Sequence, residues 1–117
     1  MIEKAKEVYL QARKNLKNND LFIYELAYLS EMSMNYKEAI KEYIRLLSIQ
    51  PAQLDWVRTR FSSSGKREGT YPVMVSILED ELEDNPQNMP LHTILGELYI
   101  QKGELGKAFN HYQKSEE

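Results

Sequence analysis

Tyr9, Tyr43, Leu78 and Tyr112 stand 34, 35 and 34 residues apart. Ala5, Ala39, Met74 and Ala108 repeat these intervals four residues earlier, and Ile2, Tyr36, Tyr71 and Leu105 repeat them again. Three series sharing one period mark a stack of similar units, none large enough to bury its apolar face alone. Stacked units form an extended concave surface, and surfaces of that kind hold other proteins or peptides.

Between the punctuating residues, apolar positions recur at helical spacing. Ile2, Ala5, Val8, Tyr9, Ala12 and Leu16 lie on one face of a helix over 2–17, which Asn18, Asn19 and Asp20 then break. Asp20 is the expected N-cap of the second helix, whose face is Phe22, Ile23, Leu26, Ala27 and Leu29, ending near Ser33. Asn35 is placed to cap a third helix carrying Tyr36, Ala39, Ile40, Tyr43, Leu46 and Leu47, which Pro51 closes because it has no amide hydrogen to donate. Leu54, Trp56, Val57 and Phe61 predict a fourth helix that stops in Ser62-Ser63-Ser64-Gly65. Thr70 is the expected N-cap of a fifth, with Pro72 tolerated in its first turn, followed by Val73, Met74, Ile77, Leu78 and Leu82 up to Asn85-Pro86. Leu91, Ile94, Leu95, Leu98 and Tyr99 form a sixth, broken at Gly103, and Leu105, Ala108, Phe109 and Tyr112 form the last. The prediction is all-α, with about seven helices and no strand of comparable quality. Connections of about two to six residues force consecutive helices antiparallel.

These residues resemble the tetratricopeptide repeat along the whole chain. The family pattern has Leu-Gly-x-x-Tyr in the first helix of a repeat, Ala-x-x-x-Phe/Tyr in the second, and a closing proline. The best copy has Leu95, Gly96, Tyr99, Gly103, Ala108 and Tyr112; another has Leu26, Ala27, Tyr36, Ala39, Tyr43 and Pro51, with Ser30 where tyrosine belongs. A middle copy keeps Gly69, Tyr71, Leu78 and Pro86 but departs at Phe61, Ser62, Gly65 and Met74. The resemblance implies a single domain over 1–117, a right-handed superhelical solenoid of antiparallel helix pairs. It divides into a half repeat (1–19, second helix only), a repeat (20–54), a degenerate repeat (55–88) and a further repeat (89–117). Incomplete end units suggest a segment of a longer array, the alternative being a natural small protein of three repeats. Terminal helices without neighbours lead us to expect end-to-end self-association through residues such as Ile2, Val8, Tyr9, Leu10 and Phe109.

Known chemical motifs are not matched. Ser64-Gly65-Lys66 has Arg60 where a phosphate-binding loop needs glycine and Arg67 where it needs serine or threonine. His92 and His111 lack a helical histidine partner, the serines lack a nucleophile elbow, and the acidic run from Glu79 to Asp84 lacks calcium-loop spacing and glycine. Cysteine is absent, so disulfides and thiolate ligands are excluded. No cofactor and no metal are expected. A net charge of −3 argues against nucleic acid as the main partner, despite the local patch of Arg58, Arg60, Lys66 and Arg67. No apolar run is long enough to span a bilayer, and Glu3, Lys4, Lys6 and Glu7 stand where a signal peptide needs apolar residues. These features leave the compartment unassigned.

The expected function is therefore non-catalytic: a protein-interaction module or scaffold holding a protein or peptide. The alternative is a regulatory or substrate-recruiting appendage of an enzyme in a longer chain. In the family the first helices of the repeats line the groove. The resemblance carries this role to Tyr24, Tyr28 and Glu31, to Trp56, Thr59, Ser63 and Arg67, and to Thr93, Glu97 and Gln101. Tyr24, Tyr28 and Trp56 suit binding anchors, although Tyr24 and Trp56 are equally open to a role in packing between repeats. Chaperone-binding members grip a terminal carboxylate with basic and amide side chains. The matching positions here are Tyr24, Tyr28, Arg60, Pro90 and Ile94, with only one base among them, which argues against that ligand.

Overall fold

The computed structural model describes residues 1–67 and 69–115, and these form seven α-helices and no strand. The chain divides into two compact units, Met1–Gln53 and Leu54–Glu117.

The first unit contains α1 (Ile2–Leu16), α2 (Ile23–Met32), α3 (Tyr36–Ile49) and a 3₁₀ turn, Pro51–Gln53. α2 and α3 form a hairpin, and Asn35 starts α3 by accepting the Glu38 amide on its side chain. Ile23, Leu26 and Ala27 from α2 meet Ala39, Ile40, Tyr43, Leu46 and Leu47 from α3 in the buried core. α1 packs on α2 and ends at Lys17 in the left-handed conformation, with its last carbonyls accepting from the Lys17 and Asn18 amides. Asp20 is not the cap of α2. The helix starts one residue after Phe22, whose φ of 61° is left-handed and whose side chain makes no cap bond. The Phe22 ring lies 4.8 Å from Tyr9, so aromatic contact with α1 sets this start, while Asp20 donates its amide to Asn18 Oδ1 within the turn.

The second unit contains α4 (Leu54–Gly65), α5 (Thr70–Asp84), α6 (Met89–Gln101) and α7 (Leu105–Ser115). α6 is its centre, packed against α4, α5 and α7. Leu91, Ile94, Leu95, Leu98 and Tyr99 are buried on α6, opposed by Val57 and Phe61 of α4, Met74, Leu78 and Leu82 of α5, and Ala108 of α7. Asn88 caps α6 by accepting the Leu91 amide, with Pro90 in the first turn.

α4 ends at Gly65, within the expected Ser62–Gly65 stretch, and its last turn is held to α6: Ser62 Oγ donates to Gln101 Oε1, and Ser64 and Gly65 are buried. A Cβ on Gly65 would sit 3.1 Å from Leu98 Cδ2, so the missing side chain allows α4 to close on α6. One expected boundary is corrected: Thr70 is the first residue of α5 rather than its cap, and it is buried; the cap position is Gly69, at φ 83°.

Candidate partner-binding surface

In the first unit, burial of Ile23, Leu26 and Ala27 against α3 turns the opposite side of α2 outward. Tyr24 and Tyr28, one helical turn apart, lie there and are 42% and 58% exposed. Glu31 departs from the expectation of an exposed groove residue. It is buried and accepts the Tyr43 hydroxyl at 2.6 Å, so it serves the seam between α2 and α3.

In the second unit, Thr59, Ser63 and Glu97 come together with Asp55, Arg58, Ser62 and Lys66 around a shallow depression of about 570 Å³ between α4 and α6. Arg58 bridges its rim, donating to Glu97 and to Asp55, and the Glu97 hydrogen bond raises the guanidinium pKa. Gln101 is committed to α4, since it accepts from Ser62 Oγ at 3.1 Å and donates to the Ser62 carbonyl. Thr93 is half-buried and donates to the Met89 carbonyl of its own helix. Trp56 is 40% exposed with the Arg60 guanidinium 6.0 Å from its ring centroid, and Arg67 is exposed in the turn after α4.

Two polar constellations escape sequence reasoning. Arg13 of α1 forms a buried bidentate pair with Glu42 of α3 at 2.8 and 2.6 Å, and also donates to the Leu21 carbonyl. His92 and His111, which have no histidine partner on their own helices, are both buried, with their Nδ1 atoms 2.9 Å apart. His92 Nε2 lies 2.8 Å from the Pro86 carbonyl, and His111 Nε2 lies 3.1 Å from Glu79 Oε1, which also accepts the Tyr99 hydroxyl at 2.6 Å. The Glu79 side chain makes these contacts while remaining 42% exposed. Among the described residues no cluster of three or more His, Asp or Glu side chains is placed to hold a metal ion.

Burial is also felt by the tyrosines of this unit. Tyr71 is pushed up to about 12, first by desolvation and then by Glu104, which accepts its hydroxyl at 3.2 Å. Tyr99 and Tyr112 are raised as well, again chiefly by desolvation. No helix among the described residues is long and apolar enough to cross a membrane. Compared with profiles of known protein families and with curated proteins, the chain matches none.

Proposed function

We propose that this chain is a tetratricopeptide-type module, a right-handed superhelical stack of helix pairs that binds a protein or peptide segment without catalysing a reaction. Burial of the period-matched residues supports the repeat reading: Ala39, Met74 and Ala108, then Tyr43 and Leu78, occupy buried positions on α3, α5 and α7. The observation that carries the binding reading is the exposure of Tyr24 and Tyr28 on the one side of α2 that its hairpin leaves open. Amphipathic rings of this type give large contact area for little lost rotamer freedom, which is why they serve as anchors. In the second unit, Thr59, Ser63 and Glu97 offer a separate set of polar contacts in the depression beside α4.

The test is selection of binding peptides from a displayed library with the full chain, followed by affinity measurement on Tyr28→Ala. Truncation of an anchor should weaken binding by roughly 1–2 kcal/mol, about 5- to 30-fold. The melting temperature should hold within about 2 °C, since an exposed side chain contributes little to the core. Unchanged affinity accompanied by a large fall in melting temperature would assign Tyr28 to packing and remove the anchor role.

A further inference from the structure

The buried His92–His111 pair carries a proton count that its neighbours dictate. The Pro86 carbonyl can only accept, so His92 Nε2 must bear a hydrogen. The gap between the two Nδ1 atoms holds one hydrogen and no more, with one nitrogen donating and the other accepting. Glu79 Oε1, when ionised, can only accept, so a hydrogen on His111 Nε2 completes the third contact. All three contacts are therefore filled when the pair carries a single positive charge, balanced by the Glu79 carboxylate. A second charge places two N–H groups face to face at 2.9 Å and sets two imidazolium rings side by side, their centroids 5.2 Å apart.

We propose that this pair is an acid-sensitive latch on α7: a second proton on the two imidazoles breaks the Nδ1–Nδ1 contact and releases α7 from α6. The groups facing the latch are Glu79 from α5, His92 and Tyr99 from α6, and Lys114 from α7 itself, with Lys107 of α7 above the Tyr99 ring. Only Glu79 among them favours a charged imidazole; His92 and Lys114 oppose it. Burial, the largest influence, lowers His111 from the ordinary histidine value. Burial thus opposes uptake of the second proton in the folded pair relative to the unfolded chain, so the stability carried by the Nδ1–Nδ1 contact is lost as pH falls below the ordinary histidine value of about 6.5. That window places release on the acid side of neutrality.

The experiment uses the full chain with ¹⁵N-labelled histidine. Ring-nitrogen shifts and amide hydrogen exchange, expressed as protection factors at each pH, are followed from pH 7.5 to 5. At pH 7.5 one Nδ1 should report as a donor and the other as an acceptor, and this asymmetry should vanish on acidification. Protection in α7 should fall at least tenfold over the same interval while α2 and α3 keep theirs. His111→Phe removes the second proton site, so its α7 protection should stay within about twofold across the range. Equal falls in the parent and in His111→Phe, or a simultaneous loss of protection in α2 and α3, overturn the latch. If His111→Phe does not fold, the ring nitrogens of the unaltered chain decide: two Nδ1 atoms with the averaged shifts of solvated imidazoles at pH 7.5 overturn it as well.

Discussion

Replacing Glu42 with alanine should cost the first unit roughly 3–5 kcal/mol, the range for stripping one partner from a buried ion pair. The carboxylate holds both terminal nitrogens of Arg13, and the two side chains are only 7% and 10% exposed. Arg13 cannot follow its lost partner into water, because its Nε remains tied to the Leu21 carbonyl at 2.6 Å. Arg45 adds to the cost: its Nε lies 3.9 Å from Glu42 Oε1, beyond hydrogen-bond reach but close enough to feel the charge. Without Glu42 both arginines would lose the carboxylate they share, leaving Arg45 with Asp20, 3.8 Å from its Nη1. A domain-sized fold has about 5–15 kcal/mol in hand, so the loss is a large part of the total. Removing both charges in Arg13→Met with Glu42→Leu should recover most of it, to within about 2 kcal/mol of the parent, since well-packed apolar replacements of a buried pair are close to neutral. Urea denaturation with hydrogen exchange resolved to α2 and α3 measures both effects. A loss below about 1 kcal/mol for Glu42→Ala, or one that shrinks sharply as salt is raised, would match a solvated surface pair and refute the reasoning.

Three further outcomes follow from burial and exposure. Leu78 is fully buried on α5 while Val8, on α1, is 62% exposed, so Leu78→Ala should cost about 2–5 kcal/mol and Val8→Ala within about 0.5, as read by denaturant titration. In alkali, a tyrosine raised by folding contributes stability that is present below about 10 and lost as pH climbs through the folded value. Absorbance at 295 nm should thus show Tyr71 ionising near 12, with Tyr99 and Tyr112 also late and the helical signal of the second unit falling in the same window; eight tyrosines titrating together near 10 would contradict this. Val8, Leu10 and Leu16 are all exposed on α1, so sedimentation velocity should detect concentration-dependent association that Val8→Glu with Leu10→Lys abolishes; a clean monomer at high concentration counts against it.

Helices were legible in the letters because their causes are local. Apolar spacing placed all seven, and Asn35 and Pro51 act at the start and end of α3 as their chemistry requires. Tyr24 and Tyr28 were assigned to the surface only through the family resemblance, and burial of Leu26 and Ala27 between them accords with their exposure. A depression uniting Thr59, Ser63 and Glu97 was less accessible to such reasoning, since it depends on how closely α4 meets α6.

What the sequence determined by itself is the order and period of the helices and the inward face of α3, α5 and α6, properties set by residues within one or two turns of each other. On α1 and α7 the apolar face read from the letters is partly solvent-exposed at Val8, Leu16, Leu105 and Phe109, and α1 buries Lys6 and Arg13 instead. Tertiary packing decided where that local logic stops. Phe22 displaced Asp20 at the start of α2 because it reaches Tyr9, and Thr70 became the buried first residue of α5 with Gly69 in the cap position. Packing also drew in the buried polar groups: Glu31 to Tyr43, Arg13 to Glu42 across 29 residues, and His92 to His111 across 19. A charge or imidazole enters a core only where a partner waits at hydrogen-bond distance, and those partners become neighbours only when the helices have docked.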